Sequence, residues 1–134
     1  MAVDRLKRWY RSGLLCIGDA AHAMSPIGGV GINLAVQDAV AAANIVAEPL
    51  RAGTVGEDVL AKVQARREFP TRVTQRIQIV MQERVIRHVL AGQGELKPPL
   101  FVKLLRAFPF MRRIPARILG LGVRPEHIGT PERA

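Results

Sequence analysis

The chain has 134 residues, a length that suits one modest domain. Lys and Arg number 20 against 11 Asp and Glu, which gives a formal net charge of +9. The single cysteine excludes an intrachain disulfide, and no apolar run approaches the roughly 18 residues of a membrane span. The first residues lack the apolar segment of a secretory signal peptide, so we expect a cytoplasmic protein.

The most informative stretch of the chain reads LLCIGDAAHAMSPIGGVGINLAVQDA and begins at Leu14. Its apolar start, Leu14 to Ile17, predicts a strand that is buried on both faces, with Cys16 as a buried thiol inside it. Gly18-Asp19 then predicts a turn with one carboxylate at the carboxyl end of this strand. Open α/β sheets bind their ligands at that edge, so the turn is a candidate binding site.

A glycine-rich loop and a helix follow the turn. Pro26 precedes three glycines in the loop, Gly28, Gly29 and Gly31. Their lack of a Cβ lets the backbone approach a ligand closely. We predict Asn33 as the N-cap of the following alanine-rich helix and Pro49 as its end. The amides and the positive dipole end of that helix favour a ligand with anionic or carbonyl oxygens.

Two common phosphate-binding loops do not fit this glycine pattern. After Gly29 and Gly31, the third glycine of a dinucleotide-binding fingerprint would fall at Leu34, and no Gly-Lys-Ser/Thr follows, as an ATP-binding loop requires. The same stretch instead resembles the FAD-dependent monooxygenases of the aromatic-hydroxylase type, which are similar to para-hydroxybenzoate hydroxylase. Their second FAD motif reads approximately GDAAH, a proline, GxGxN and an alanine-rich helix that ends in DA. In this chain these elements are Gly18 to His22, Pro26, Gly29 to Asn33 and Gln37 to Ala39.

The resemblance implies a role for each motif residue. Asp19 would accept a hydrogen bond from a ribityl hydroxyl of FAD. Pro26 would lie against the edge of the isoalloxazine ring, and the main-chain amides of Ile32 and Asn33 would face the N1/C2 side of the flavin. The implied cofactor-binding residues are Gly18, Asp19, Pro26, Gly28, Gly29, Gly31, Ile32 and Asn33. We predict no metal site, assign no catalytic residue, and expect His22 to be a hydrogen-bonded structural residue.

The rest of the chain predicts further helices. Spacing of apolar residues predicts a helix from Glu57 to about Ala91, which Phe69-Pro70 should kink or split. Arg66 to Pro70 weakly resembles a helix segment of the same family. Gly92-Gln93-Gly94 should end this helix, and Pro98-Pro99 should begin a short one with the apolar residues Phe101, Leu104, Leu105, Phe108, Phe110 and Met111. We expect that segment to pack on protein and not on an anionic membrane, because Pro109 and Pro115 interrupt its pattern.

Together these patterns predict a mostly helical α/β fragment. Residues 1–50 would form the C-terminal part of an FAD-binding domain, with one buried strand and the glycine-rich loop of a glutathione reductase-like Rossmann fold. Residues 51–134 would form a C-terminal helical region. Since no GxGxxG unit and no central substrate domain are evident, we expect the chain to be the C-terminal segment of a larger protein, with N-terminal flavin and substrate domains elsewhere.

The resemblance implies FAD as the cofactor, NAD(P)H as a transient reductant, and O2 with a small organic substrate, aromatic or polyketide-like, that the complete protein would hydroxylate or epoxidise. Related flavoproteins include reductases and halogenases. We expect the fragment alone to be inactive. An inactive remnant or the accessory half of a split flavoprotein is the main alternative. A basic nucleic-acid-binding module is a more remote one, because aromatic residues are few and the arginines are spread along the chain.

Overall fold

The computed structural model describes residues 3–25, 29–90, 108 and 113–129. Pro26, Gly28 and the segment with the predicted helix after Pro98-Pro99 lie outside the described residues, apart from Phe108. The elements in chain order are β1 (Asp4–Arg5), β2 (Tyr10–Arg11), β3 (Leu14–Leu15), a 3-10 helix (Gly18–Ala20), β4 (His22–Ala23), α1 (Val30–Arg51), α2 (Glu57–Leu90) and α3 (Arg113–Leu121). The described part is therefore mostly helical, as predicted.

The strands form two small antiparallel pairs, β1 with β4 and β2 with β3. Tyr10 pairs with Leu15, and Gly13, at a φ of +74°, lies in the loop between these strands. The prediction of a fully buried strand through residue 17 is wrong. β3 ends at Leu15, Cys16 lies after it and is half-buried, and Leu14 is 44% exposed. The reason is that β3 has only β2 as a neighbour within the described part of the chain, so one face of the pair is left open.

The first helix begins earlier and ends later than the sequence predicts. Its N-cap is Gly29, at a φ of +63°, and not Asn33. A glycine adopts this left-handed conformation without steric cost, so the chain enters the helix before Asn33 is reached. Pro49 lies inside the last turn of α1 and does not end it. A proline near a helix end removes one hydrogen bond, and the amides of Ala52 and Thr54 still bond to the carbonyl oxygens of Glu48 and Pro49 at 3.0 and 2.8 Å.

The second helix spans Glu57–Leu90, which confirms the predicted helix, but Pro70 does not split it. Pro70 is fully buried, and buried Arg67 and Thr71 flank it on the same helix. The hydroxyls of Thr71 and Thr74 bond to the carbonyl oxygens of Arg67 and Pro70, both at 2.8 Å. Packing on both sides of Pro70 therefore offsets the hydrogen bond that proline cannot make.

Helices α1 and α2 pack against each other and cover the N-terminal strands. The buried apolar residues are Trp9, Ala21, Val30, Leu34, Ala41, Val59, Leu60 and Val63. Beyond Val63 the buried face of α2 is mostly polar. By contrast, the apolar residues Val80 and Met81 of the same helix are 50% and 37% exposed. The polar face is buried because its side chains bind backbone groups.

Three glutamines of α2 hold the N-terminal segment in place. The side-chain amide of Gln64 donates to the carbonyl oxygen of Lys7 at 3.0 Å, and Gln75 donates to that of Asp4 at 2.9 Å. Gln78 donates to the carbonyl oxygen of Ser25 at 2.9 Å. These bonds satisfy backbone carbonyl groups in and next to the short strands β1 and β4. They also fix the chain directly before the glycine-rich loop.

Helix α1 is, by its length and composition alone, long and apolar enough to cross a membrane. The same length and composition occur in core helices of other proteins. Asp38, near the middle of α1, is fully buried and bonded to side chains outside this helix. A carboxylate held in this way indicates that this face of α1 packs in protein.

Candidate functional site

The Gly18-Asp19 turn lies against the first half of α1. Gly18 is buried and has a φ of +56°, and a Cβ added to it would lie 3.0 Å from the Cβ of Ala35. Its amide donates a hydrogen bond to Oδ2 of Asp38 at 3.1 Å. Only glycine therefore fits here, and Asp19, the next residue, is exposed.

Replacing Gly18 by alanine tests this close approach. We expect Gly18→Ala to lower the free energy of unfolding by more than the roughly 1–2 kcal/mol that a left-handed conformation costs a residue with a Cβ, because the new methyl also meets Ala35. Urea unfolding followed by circular dichroism measures this loss. Gly53→Ala is the matched control, since Gly53 has a φ of +67° but nothing within 4 Å of an added Cβ. Equal losses in the two variants would contradict a tight contact at Gly18.

An open concavity of about 630 Å³ lies beside the turn. This volume falls in the range of about 300 to 1,000 Å³ that is typical of ligand pockets. The residues that line it are Asp19, Met24, Ser25, Gly29, Gly31, Ile32, Ala35, Val36 and Ala39. Asp19 is the one ionisable side chain among them. A second cavity, between α1, α2 and α3, holds about 20 Å³, which is room for one water and not for a cofactor.

The amino end of α1 forms one wall of this concavity. A helix that begins at Val30 leaves the amides of Val30, Gly31 and Ile32 without a partner inside the helix, whereas the amide of Asn33 can bond back to Gly29. Of the two amides predicted to face a flavin, that of Ile32 therefore has no acceptor within the helix itself. The side chain of Asn33 donates to the carbonyl oxygen of Gly120 at 3.1 Å.

The structure thus brings together most of the described residues that were predicted to bind FAD. Asp19, Gly29, Gly31 and Ile32 line the concavity, and Gly18 lies buried behind Asp19. Asn33 instead donates to the carbonyl oxygen of Gly120 within α3, and Pro26 and Gly28 lie outside the described residues. One carboxylate for ribityl hydroxyls, amides at a helix start for carbonyl oxygens, and small residues between them fit the chemistry of FAD. Within the described part of the chain no group of three His, Cys, Asp or Glu side chains could hold a metal ion.

A buried ionic cluster supports the turn from behind. Nε2 of His22 lies 2.6 Å from Oδ2 of Asp38, and Nε of Arg67 donates to Oδ1 of Asp38 at 2.8 Å. All three side chains are at most 1% exposed. The prediction that His22 is a hydrogen-bonded structural residue is confirmed, and the indole ring of Trp9 lies 5.2 Å from its ring.

The charge of Asp38 is stabilised within this cluster. Burial has the largest single influence on the pKa of Asp38 and raises it, but hydrogen bonds from His22, Arg67 and the Gly18 amide together lower the pKa below its ordinary value. Asp38 is therefore an ionised acceptor, and Nε2 of His22 is the protonated ring nitrogen that donates to it. The sequence placed Asp38 and Arg67 in recognisable motifs but gave no signal that the two side chains meet.

Comparison with known proteins agrees with this site. The sequence model of the family described as FAD binding domain matches residues 1–77. The chain is 43% identical over 112 residues to 6-methylpretetramide 4-monooxygenase of Streptomyces rimosus, which covers 84% of this chain and 26% of that protein. It is 30% identical over 135 residues to an FAD-dependent monooxygenase of Tolypocladium album, and this match covers 94% of the chain and 27% of that protein. A digeranylgeranylglycerophospholipid reductase of Methanothermobacter thermautotrophicus is 36% identical over 61 residues, and this match covers 46% of the chain and 16% of that protein.

The chain spans about a quarter of the length of the two monooxygenases that it resembles. The family match covers more than half of its 134 residues and includes the turn, β4, α1 and the first half of α2. The resemblance to FAD-dependent monooxygenases of the aromatic-hydroxylase type is thus confirmed, and the chain belongs to the FAD binding domain family.

Proposed function

We propose that this chain supplies one part of the FAD site of an FAD-dependent monooxygenase. The observation that carries the proposal is the exposed carboxylate of Asp19, which faces a concavity walled by the amino end of α1. In the complete protein NAD(P)H would be the reductant, and the substrate would be a small organic molecule, aromatic or polyketide-like. The name of the Streptomyces rimosus relative, a 6-methylpretetramide monooxygenase, supports that substrate class. A cytoplasmic location belongs to the same proposal.

Bound FAD would supply the electron transfer and oxygen chemistry, and the residues of this chain would bind and orient it. Asp19 would accept a hydrogen bond from the ribityl chain. The amides at the start of α1 would donate to the carbonyl side of the ring, where their partial positive charge stabilises negative charge. Pro26 and Gly28 remain predicted contacts of the ring.

An exposed apolar stripe on α1 supports a larger FAD-binding domain. Its members recur at spacings of three and four residues and include Ile32, Val36 and Leu50, which are 77%, 57% and 66% exposed. Ala39, Ala43 and Val46 lie between them. Exposed apolar patches of this kind mark surfaces that another layer covers. We propose that the rest of the FAD-binding domain packs there, and that this chain alone lacks activity.

A flavin-dependent reductase is the second candidate, because the chain is also similar to the reductase of Methanothermobacter thermautotrophicus. The two functions differ in their use of oxygen. A monooxygenase consumes O2 together with NAD(P)H and inserts one oxygen atom into its substrate, whereas a reductase transfers electrons to its substrate without O2. Oxygen uptake therefore discriminates between them.

The function can be tested by replacing the matching quarter of the Streptomyces rimosus relative with this chain. We expect the soluble graft to retain FAD after desalting, as its visible absorbance would report, and to couple NAD(P)H oxidation to O2 uptake. A graft that is folded by circular dichroism but carries no flavin would overturn the proposal. A graft with FAD but without O2 uptake would support the reductase.

In this graft, Asp19→Ala should weaken FAD binding by about 1.5–3 kcal/mol, the value of one hydrogen bond to a charged group. The loss corresponds to roughly 10- to 150-fold in the dissociation constant, which flavin fluorescence can measure. Glu48→Ala is the control, since Glu48 is an exposed carboxylate near the C-terminal end of α1, away from the concavity, that pairs with Arg51 at 2.6 Å. Unchanged FAD affinity in Asp19→Ala would remove Asp19 from the site.

A further inference from the structure

Arg67 joins two parts of the chain that are distant in sequence. Its Nε donates to Asp38 at 2.8 Å, and its Nη1 donates to the carbonyl oxygen of Arg124 at 3.1 Å. Its Nη2 donates to Oε1 of Gln37 at 3.3 Å. The side chain is fully buried. Its guanidinium group therefore connects α1 with the segment after α3 and has no contact with solvent.

On one side, this connection reaches the Gly18-Asp19 turn. The Asp38 carboxylate accepts the hydrogen bond from Arg67 at Oδ1. Its other oxygen, Oδ2, accepts a hydrogen bond from the amide of Gly18. Gly18 directly precedes Asp19 in the chain. The position of the Asp38 carboxylate consequently sets where the turn begins and the direction in which Asp19 leaves it.

On the other side, Arg67 meets residues 122–129, which we call the C-terminal strap. Glu126 of the strap is nearly buried and accepts hydrogen bonds from Nε and Nη2 of Arg66 at 2.7 and 3.1 Å, and it lies 3.4 Å from Nη1 of Arg67. Side chains of α1 hold the strap and the end of α3. Gln37 donates to the carbonyl oxygen of Leu121 at 2.7 Å, and Asn44 donates to that of His127 at 2.8 Å.

We propose that Arg67 is a positioning residue through which the C-terminal strap holds the Gly18-Asp19 turn in place. Arginine suits this role because its planar group donates in several fixed directions at once, which the ammonium of lysine does not. The strap fixes the guanidinium, the guanidinium fixes Asp38, and Asp38 fixes Gly18. The consequence for FAD rests on the proposed function, whereas the consequence for the turn does not.

Amide hydrogen exchange of the 134-residue chain, followed by NMR, tests the effect on the turn without any flavin. The amide of Gly18 reports the turn, and that of Val63, in the core of α2, reports global opening. The informative variants are Arg67→Lys, which keeps the charge but loses the planar group, and Glu126→Gln, which keeps every contact of Asp38. Glu48→Gln is the control.

We expect Arg67→Lys to accelerate exchange at Gly18 by about tenfold relative to Val63, the effect of losing one hydrogen bond to a charged group. Glu126→Gln should accelerate it less, and Glu48→Gln not at all. An unchanged ratio of the two rates in a folded Arg67→Lys variant would overturn the proposal. If Arg67→Lys does not fold, Glu126→Gln provides the test instead. An unchanged ratio of the exchange rates of Gly18 and Val63 in that variant would also overturn the proposal.

The link to the cofactor is tested separately in the graft. There Glu126→Gln should weaken FAD binding several-fold although Glu126 does not line the concavity. A wild-type graft without FAD would contradict the proposed function and leave the exchange result standing. A graft that binds FAD equally well with and without Glu126→Gln would contradict the role of the strap at the cofactor site alone.

Discussion

Replacing Arg67 by alanine should lower the free energy of unfolding of this chain by about 3–5 kcal/mol. The variant leaves the Asp38 carboxylate buried with His22 and the Gly18 amide as its remaining partners. A buried charge without its counter-ion is destabilising because it has lost its hydration and the remaining protein contacts do not compensate for that loss. Since small domains are stable by about 5–15 kcal/mol, this single change should leave a measurable fraction unfolded. Urea unfolding followed by circular dichroism measures the difference.

Two controls separate the buried charge from the rest of the side chain. Arg72→Ala, one turn further along α2, removes an exposed arginine that lies 3.8 Å from Glu68 and should change stability by less than about 1 kcal/mol. Replacing both partners, as Asp38→Leu with Arg67→Met, should restore part of the loss, because no unpaired charge then remains. A double variant as unstable as Arg67→Ala would show that the unpaired carboxylate is not the main cause of the loss.

The elements and motifs that depend on neighbouring residues were predictable from the sequence. The apolar spacing predicted a helix from Glu57, which the structure describes as far as Leu90, and the GDAAH motif located the turn and Asp19. These features depend on hydrophobic periodicity and on glycine, which act over a few residues. They are therefore visible in a single sequence.

The incorrect predictions concern places where packing or a competing nearby residue overrides a local preference. Asn33 is a good N-cap by type, but Gly29 can take the left-handed conformation and α1 begins there. Pro70 disfavours a helix, yet burial holds α2 together around it. Leu14 is as apolar as a core residue, but no second layer covers it in the described part of the chain. The outcomes at Pro70 and Leu14 depend on packing, whereas the start of α1 depends on a glycine only four residues before Asn33.

The ionic cluster shows the same limit at the candidate site. Asp38 and Arg67 are separated by 29 residues, and nothing in the spacing of either motif specifies the pair. The adjacent residue, Arg66, is also an arginine but pairs with Glu126 and not with Asp38. Which of the two enters the core depends on the rotation of α2 about its axis, which the fold determines.

Replacing Trp9 by alanine should also cost about 3–5 kcal/mol, the range for removing a large aromatic side chain from a core. Trp9 is 1% exposed, and its ring lies against His22 of the ionic cluster. The indole Nε1 donates to the carbonyl oxygen of Leu6 at 3.1 Å. Because Trp9 is the only tryptophan in the chain, circular dichroism and not fluorescence must follow the unfolding of this variant.

Trp9→Phe distinguishes the volume of the indole from its hydrogen bond. Phenylalanine keeps an aromatic ring beside His22 but leaves the carbonyl oxygen of Leu6 without this donor. We expect it to recover more than half of the loss, because cavity formation dominates large-to-small changes in cores. Leu6→Ala, at a side chain that is 44% exposed, should have a small effect and serves as the control. If Trp9→Phe were as unstable as Trp9→Ala, the indole hydrogen bond, and not the filled volume, would be what Trp9 contributes next to the ionic cluster.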